Sequence, residues 1–184
     1  MLTIIAIEAG VILLLIVVNG LLAMSEMGIV SSRKVRLQQL AEDGNHGAEI
    51  ALELANSPSN FLAAIQIGIT MIGIFAGAFG GATIAEELAR QLVRFERLAP
   101  YADAIGLGIV VVVVTYTSLI IGELVPKRLA LGNPERIAAA VAPAIRLLSV
   151  LALPAVKLLG STTDYVLRLL RVSGQVDPPV TEEE

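Results

Sequence analysis

A run of eight aliphatic residues stands near the start of the chain: Val11-Ile12-Leu13-Leu14-Leu15-Ile16-Val17-Val18. It is the centre of an apolar segment from about Ile4 to Ser25 that contains one charged residue, Glu8. A helix needs about 20 apolar residues to cross the roughly 30 Å of hydrocarbon in a bilayer, and a lone strand would leave its backbone unpaired there. No Lys or Arg precedes Arg33, so the segment lacks the basic start of a signal peptide. We therefore expect a retained transmembrane helix.

Two further segments are long and uncharged enough to cross a membrane. The first lies within Leu54–Ala85, which has 32 residues without a charge, and the second is Ala104–Gly122, with 19. The composition agrees, because 55% of the residues are apolar and only 16% are charged, against about 25% charged residues in an ordinary soluble domain. The sequence predicts an all-α membrane protein with three transmembrane helices, over about residues 4–31, 58–85 and 103–125.

The composition also excludes several classes of function. Without cysteine, the chain has no disulfide, thiolate metal site or cysteine nucleophile. The net charge of -4 equals the charge of four acidic residues in the tail, Asp177, Glu182, Glu183 and Glu184, so nothing suggests the basic surface that binds nucleic acid. Residues 173–184 are acidic and contain proline, which is typical of a linker, and we expect a cytoplasmic domain to follow them in a longer protein.

Ile137–Leu159 is a fourth apolar segment, but it contains the charged residues Arg146 and Lys157 as well as two prolines. Basic residues flank it on both sides, whereas a crossing segment would place one flank outside, where Lys and Arg are scarce. A segment that lies along the cytoplasmic interface has this pattern. We therefore favour a Pro-kinked juxtamembrane helical belt over residues 135–172, with a fourth transmembrane helix as the alternative.

The basic residues also predict the orientation of the chain. Arg33, Lys34 and Arg36 directly follow the first span, and Lys and Arg are abundant after the third. The positive-inside rule then places the N-terminus outside and the C-terminus in the cytoplasm. Residues 35–53, between the first two spans, are polar enough for a cytoplasmic helical hairpin that turns at Asp43-Gly44-Asn45.

Polar groups inside the spans are functional candidates, because such groups are costly in a bilayer. The most informative stretch is Gly122-Glu123-Leu124-Val125-Pro126-Lys127, at the end of the third span. Pro126 has no N–H, so the Gly122 carbonyl four residues earlier loses its helical partner. The stretch predicts a helix break at which a free carbonyl lies beside the Glu123 carboxylate.

The other two spans also carry polar or small faces. In the second span one face is formed by Gln66, Thr70, Gly73 and Gly77. The spacing of Gly73, Gly77 and Gly81 lets membrane helices pack closely, which favours a homodimer. In the first span Asn19 and Glu26 share a face, with Ser25 about 100° away around the helix.

These polar groups offer oxygen ligands without thiol or imidazole, which is the ligand type that hard cations such as Mg²⁺ and Ca²⁺ take. The residues thus favour a hard-cation site between discontinuous helices. The alternative is that the polar groups only pack the helices, with Glu123 paired to Lys127 and Glu26 neutralised by Arg33 and Lys34. We do not expect an enzyme, because no histidine, nucleophile or oxyanion donor accompanies the two carboxylates.

Three stretches stand together in this sequence. They are Asn19-Gly20-Leu21-Leu22-Ala23-Met24-Ser25-Glu26-Met27-Gly28-Ile29-Val30-Ser31-Ser32-Arg33, then Asn60-Phe61-Leu62-Ala63-Ala64-Ile65-Gln66-Ile67-Gly68-Ile69-Thr70, and Gly122-Glu123-Leu124-Val125-Pro126-Lys127. In order and spacing they resemble the three helix signatures of the CNNM/CorC family of magnesium transporters. The resemblance covers roughly residues 4–172.

The resemblance implies a homodimeric domain in a bacterial inner membrane that exports Mg²⁺ from the cytoplasm. It assigns residues 1–172 to the transmembrane domain, and the family's cytoplasmic CBS domains, which bind ATP, are expected to lie outside this chain. Carried over by position, Ser25, Gly122 and Glu123 are the expected Mg²⁺ ligands, with Asn19 and Thr70 as further candidates.

The expected mechanism is alternating access around a site between the first and third helices, with helix breaks at Gly20 and Pro126 as hinges. The sequence has no Walker glycine loop, so secondary transport coupled to Na⁺ is the consistent mechanism. The alternative function is a membrane anchor or scaffold for a missing cytoplasmic regulatory domain, with no transport of its own.

Overall fold

The computed structural model describes residues 2–79 and 83–170 and is helical throughout those ranges, with no strand in them. The α-helices are α1 (Leu2–Ser31), α2 (Lys34–Glu42), α3 (His46–Asn56), α4 (Pro58–Phe79), α5 (Ala85–Leu92), α6 (Ala102–Leu119), α7 (Val125–Gly132) and α8 (Pro134–Leu169). A 3₁₀ turn, Ala99–Tyr101, precedes α6, and a π-helical turn, Ile120–Leu124, joins α6 to α7. The predicted all-α class is confirmed. Gly81, residues 171–172 and the predicted tail 173–184 lie outside the described residues.

Four helical stretches in the described part of the chain are long and apolar enough to cross a membrane: Ile5–Ser31, Pro58–Phe79, Ala99–Gly132 and Pro134–Leu169. The first three correspond to the predicted spans. The third is longer than expected, because the helical path continues through the π-turn and α7 to Gly132. The fourth is α8, which meets the same criteria of length and composition as the other three.

The outer surface of the helices is strongly apolar. Ile74 of α4 and Val112 of α6 are 66% and 67% exposed, and many aliphatic residues of α1 are exposed as well. A soluble protein rarely leaves so much contiguous apolar surface in water, whereas hydrocarbon is the natural solvent of such a surface. The burial pattern therefore supports a membrane protein.

The α1 helix is the centre of the fold and packs against α4, α7, α8 and the π-turn. It runs without interruption from Leu2 to Ser31, so the predicted helix break at Gly20 is wrong. Gly28 serves close packing, since a Cβ at that position would lie 3.1 Å from Cγ2 of Ile137 on α8.

The hydrophobic core lies where the end of α1 meets the α2–α3 hairpin, the start of α4 and the first half of α8. Its large members are Ile29, Leu37, Phe61 and Ile65, and alanines of α3 and α8 fill the space between them. At Gly47 of α3 an added Cβ would collide with the carbonyl oxygen of Ala139 on α8. The hairpin is thereby held directly against α8 by backbone contact.

The α2–α3 hairpin turns where the sequence predicts it. Gly44 has a φ of 88°, a left-handed conformation that favours glycine, and Asn45 caps α3 by accepting a 3.1 Å hydrogen bond from the backbone N–H of Ala48. An exposed ion pair also joins α3 to α8, with Arg146 Nη1 of α8 3.4 Å from Glu53 Oε2 of α3.

The α8 helix has 36 residues and continues through both Pro143 and Pro154. Its buried residues lie between Glu135 and Ile145, in the first half of the helix. Val150 and most of the positions after it are exposed. The segment predicted as a Pro-kinked helical belt is therefore, within the described residues, one long helix that packs on the rest of the fold through its first half.

Candidate functional site

The candidate site lies where α1 crosses the π-helical turn Ile120–Leu124. In this turn the backbone N–H of Val125 donates to the carbonyl of Ile120, five residues earlier, and Pro126, in the first turn of α7, supplies no N–H at all. A π-turn inside an α-helix is costly and frequently marks a functional position. The predicted irregularity at Pro126 is present, and it is a widened turn within a continuous helical path.

The Gly122 carbonyl is joined to α1 by a buried hydrogen bond. Asn19 Nδ2 donates to Gly122 O at 3.0 Å, so the prediction that this carbonyl is free is wrong. A carbonyl oxygen has two lone pairs and keeps the capacity for a second contact. Asn19 and Gly122, both candidate ligands, are thereby brought together from positions 103 residues apart.

The other half of the Asn19 amide, the oxygen Oδ1, is a buried acceptor without a partner. Asn19 is 8% exposed, and its Oδ1 is fully buried without a hydrogen-bond partner. Leaving a buried acceptor unpaired costs about 1–3 kcal/mol, and such an atom in a native protein requires an explanation. A cation is one partner that would satisfy this oxygen.

Glycines allow the close approach of the two elements. A Cβ on Gly20 would lie 2.8 Å from the carbonyl oxygen of Ile121 and 3.0 Å from Cγ of Pro126. A Cβ on Gly122 would lie 3.2 Å from Asn19 Nδ2 and 3.3 Å from the carbonyl oxygen of Ile16. Gly20 is therefore required for the contact that places Asn19 on the π-turn, and a side chain at Gly122 would crowd Asn19 and Ile16.

The Glu123 carboxylate belongs to a cluster of three charged groups. Lys127 Nζ lies 3.0 Å from Glu123 Oε1 and 3.5 Å from Glu26 Oε2 of α1. The three side chains are partly buried, at 26% exposure for Lys127, 29% for Glu26 and 43% for Glu123. One ammonium thus pairs with a carboxylate from each of two elements, and the cluster keeps one net negative charge.

Ser25 is 2% exposed, and its Oγ donates a 2.6 Å hydrogen bond to the carbonyl of Leu21 in the preceding turn of α1. This bond uses the hydroxyl proton and leaves the oxygen lone pairs available as an acceptor. Within the described residues, no hydrogen bond links Ser25 to Asn19, Gly122 or Glu123.

Thr70 lies on α4 and is exposed, as are Gln66, Gly73 and Gly77 of the same face. A Cβ on either glycine would meet nothing within 4 Å. The structure therefore does not bring Thr70 to the π-turn within one copy of the chain. This face of α4 remains open to lipid or to a second helix.

Sequence reasoning missed the pairing between Lys127 and Glu26. The four-residue spacing of Glu123 and Lys127 is a visible signal for a helical ion pair, but the approach of Glu26 depends on how α1 packs. Arg33 and Lys34 were expected to neutralise Glu26, and in the described part of the chain the cation that pairs with it is Lys127.

The donor set decides what the site is able to bind. The described residues contain no group of three or more His, Cys, Asp or Glu side chains that could hold a metal ion. Any cation at the π-turn would therefore depend on one carboxylate together with amide, hydroxyl and carbonyl oxygens, which are ligands for a hard cation.

Comparison with known proteins identifies one family model and several relatives of this chain. The family model described as the cyclin M transmembrane N-terminal domain (CNNM) matches residues 10–184. The chain is 53% identical over 177 residues to the UPF0053 protein sll0260 of Synechocystis sp., which is 96% of this chain and 40% of that protein. It is 29% identical over 173 residues to the polyamine export protein of Haemophilus influenzae, covering 92% of this chain and 39% of that protein.

A third relative is the UPF0053 protein YhdT of Bacillus subtilis, at 28% identity over 175 residues, covering 92% of this chain and 37% of that protein. The chain thus spans about two fifths of the length of the curated relatives that it matches.

Proposed function

Because the chain belongs to the family of cyclin M (CNNM) transmembrane N-terminal domains, we propose that it exports Mg²⁺ across the membrane. The transported ion binds between α1 and the π-turn. Glu123 supplies the one negative ligand, and the Gly122 carbonyl and the Asn19 and Ser25 side chains supply neutral oxygens. Transport without enzymatic chemistry follows from this donor set.

The observation that carries the proposal is the buried Oδ1 of Asn19, which lacks a hydrogen-bond partner while the Nδ2 of the same amide bonds to Gly122. Reversing the amide would point its NH₂ group away from Gly122 and lose that bond, so Oδ1 is the atom left to accept. Asn19 is bonded to Gly122, and Gly122 is followed directly by Glu123. Amide, carbonyl and carboxylate oxygens suit Mg²⁺, which requires several small oxygen ligands.

Movement of the ion requires that the site opens to each side in turn. The π-turn Ile120–Leu124 is the element able to change, because its hydrogen bond spans five residues where an α-helix spans four. Pro126 has no N–H with which to restore the α-helical pattern. We propose that a shift of this turn along α1 changes which side of the membrane the site faces. We propose that an ion gradient drives the cycle, with Na⁺ as the coupling ion.

The proposed topology has three transmembrane helices, formed by α1, α4 and α6 to α7, with α8 lying along the cytoplasmic face. Burial supports this arrangement, because the first half of α8 packs on the core that the α2–α3 hairpin helps to form. The hairpin is polar and follows Arg33, which the positive-inside rule places in the cytoplasm. The protein then lies in the inner membrane of a bacterium, with its N-terminus on the side away from the cytoplasm.

The exposed face of α4 supports a homodimer. Gly73 and Gly77 expose backbone on α4, since a Cβ on either would meet nothing within 4 Å among the described residues, and small residues allow helices to approach closely in lipid. Thr70 lies on the same face and would meet the partner copy. The longer relatives support cytoplasmic domains, such as CBS domains, in the whole protein.

Export of a polyamine is a second candidate, and one observation favours it. The Lys127 ammonium already sits between Glu26 and Glu123, so this pair of carboxylates binds a primary ammonium group, and a relative is named a polyamine export protein. A polyamine would place one of its own ammonium groups at these carboxylates. An ammonium group would also donate to the Asn19 oxygen, so the flux assay below decides between the two ligands.

Proteoliposomes that contain the purified chain, loaded with a Mg²⁺-sensitive dye, test the proposal under an imposed Na⁺ gradient. We expect Mg²⁺ flux that falls at least tenfold in Glu123→Gln and in Asn19→Leu. Glu42→Gln, which changes an exposed carboxylate of α2, is the matched control and should transport normally.

Three outcomes separate the candidates. Flux of labelled spermidine without Mg²⁺ flux would establish the polyamine function. Flux of neither ligand, together with no calorimetric Mg²⁺ binding, would leave the anchor or scaffold function. Normal Mg²⁺ flux in both Glu123→Gln and Asn19→Leu would show that the site is elsewhere.

A further inference from the structure

We propose that Lys127 is a resident counter-ion of the transport site, which holds Glu123 while no cation is bound and moves to Glu26 when one binds. Lys127 is then a positioning residue that sets the affinity of Glu123 for the transported ion. This inference rests on the proposed function, because it concerns the same carboxylate.

The geometry of the charged cluster supports an exchange of partners. The ammonium is 3.0 Å from Glu123 and 3.5 Å from Glu26, and only its contact with Glu123 is a hydrogen bond. Glu26 is therefore a second acceptor that the same ammonium reaches with a small rotation of its stem. Lysine suits this role, since its ammonium has three donors on a flexible chain.

Charge balance requires that the ammonium moves. Two carboxylates and one ammonium leave the ion-free cluster with one net negative charge. If a divalent cation bound Glu123 while Lys127 stayed in place, the cation and the ammonium would share the Glu123 carboxylate, and three positive charges would face the two carboxylates of the cluster. At separations of about 4 Å, two like unit charges repel by about 4 kcal/mol near a protein surface, and a divalent ion doubles this repulsion. Transfer of the ammonium to Glu26 relieves the repulsion and keeps both carboxylates paired.

Glu26 has a defined part in this exchange. It comes from α1, on the same helical face as Asn19, and Lys127 comes from α7, directly after the π-turn. A shift of the π-turn along α1 would change the distance from Lys127 to Glu26. The exchange therefore couples occupancy of the ion site to the position of the element that is proposed to move.

The internal ammonium also acts as a competitor. Every transported cation must displace the Lys127 ammonium from Glu123. Cations with a small free energy of binding at the site therefore fail to bind. Mg²⁺ gains more from one carboxylate and several dipoles than a monovalent cation does, because its charge is twice as large. Lys127 thus favours divalent over monovalent cations at Glu123.

Calorimetric titration of Mg²⁺ into the purified chain in detergent tests the inference through four proteins: wild type, Lys127→Met, Glu26→Gln and the double variant. Removing the competitor in Lys127→Met should raise the Mg²⁺ affinity about tenfold, the effect of one charge-assisted hydrogen bond. Removing its second acceptor in Glu26→Gln should lower the affinity severalfold. In the Lys127→Met background, Glu26→Gln should change the affinity less than twofold.

Two controls accompany the cycle. Lys157→Met makes the same substitution at an exposed lysine of α8 and should bind Mg²⁺ within twofold of wild type. Lys127→Gln, which keeps a polar end group, has the same expected gain and replaces Lys127→Met if that variant does not fold, as judged by circular dichroism.

The outcomes that overturn the inference are distinct from those that overturn the proposed function. An unchanged affinity in folded Lys127→Met or Lys127→Gln, with wild-type binding intact, overturns the counter-ion role alone. An equal effect of Glu26→Gln in both backgrounds also overturns it, because Glu26 would then act on the ion directly. Failure of the wild-type chain to bind Mg²⁺ overturns both.

Discussion

The side-chain amide of Asn19 donates a 3.0 Å hydrogen bond to the carbonyl oxygen of Gly122, and this buried contact joins α1 to the π-turn. The Gly122 carbonyl accepts this hydrogen bond from a side chain, because Pro126, four residues later, has no backbone N–H to donate. The same contact positions Asn19 Oδ1, which is buried and unpaired. Packing and ligand placement therefore depend on one residue.

The first prediction concerns this amide. Asn19→Leu leaves the Gly122 carbonyl unpaired, but it also removes the buried Oδ1 that has no partner. The two effects have opposite signs and similar size, so the free energy of unfolding without Mg²⁺ should stay within about 1 kcal/mol of wild type. Thermal unfolding in detergent without Mg²⁺ measures the change. Gln39→Leu, at an exposed amide of α2, is the control and should unfold within about 0.5 kcal/mol of wild type. A loss of more than about 3 kcal/mol in Asn19→Leu would contradict an unpaired Oδ1 in the wild-type protein.

A second prediction concerns the close approach at Gly20. Gly20→Ala forces a Cβ to within 2.8 Å of the Ile121 carbonyl oxygen, so α1 and the π-turn must separate. We expect lower thermal stability and weaker Mg²⁺ binding. Gly10→Ala is the matched control on the same helix, since its Cβ would meet nothing within 4 Å. Equal behaviour of the two variants would mean that the approach of α1 to the π-turn is not required.

A third prediction concerns the hairpin. Gly47→Ala directs a Cβ into the Ala139 carbonyl oxygen, and because that atom is backbone, α3 and α8 must move apart. The melting temperature should fall by several degrees, whereas Gly160→Ala, in an open part of α8, should raise it slightly through the higher helix propensity of alanine. Protease sensitivity of the hairpin should increase only in Gly47→Ala. A stable Gly47→Ala would contradict direct backbone packing of α3 on α8.

A fourth prediction tests the topology of α8. The chain has no cysteine, so single cysteines report their location without background. Arg136→Cys and Arg168→Cys stand near the two ends of α8 and should both react with a membrane-impermeant maleimide from the cytoplasmic side, as should Lys34→Cys. Labelling of Arg168→Cys from the outside alone would establish that α8 crosses the membrane as a fourth span.

Much of the candidate site is a local property of the sequence. A proline four residues after Gly122 disturbs the helix wherever that helix packs, so the irregular turn beside Glu123 was predictable. The i, i+4 pair of Glu123 and Lys127 is local as well. The partner of the Gly122 carbonyl was not predictable, because Asn19 is 103 residues away and reaches it only through the packing of α1.

The sequence by itself determined the all-helical class, three of the four long apolar helices, the hairpin turn at Gly44 and the place of the π-turn, because each depends on hydropathy or on neighbouring residues. The tertiary structure alone decided that α1 passes straight through Gly20, that Asn19 satisfies Gly122, that Lys127 lies between Glu26 and Glu123, and that Thr70 faces outward. These features depend on the rotation of one helix against another. That rotation is set by close contacts at glycines such as Gly20 and Gly122, which no periodicity along a single helix reveals.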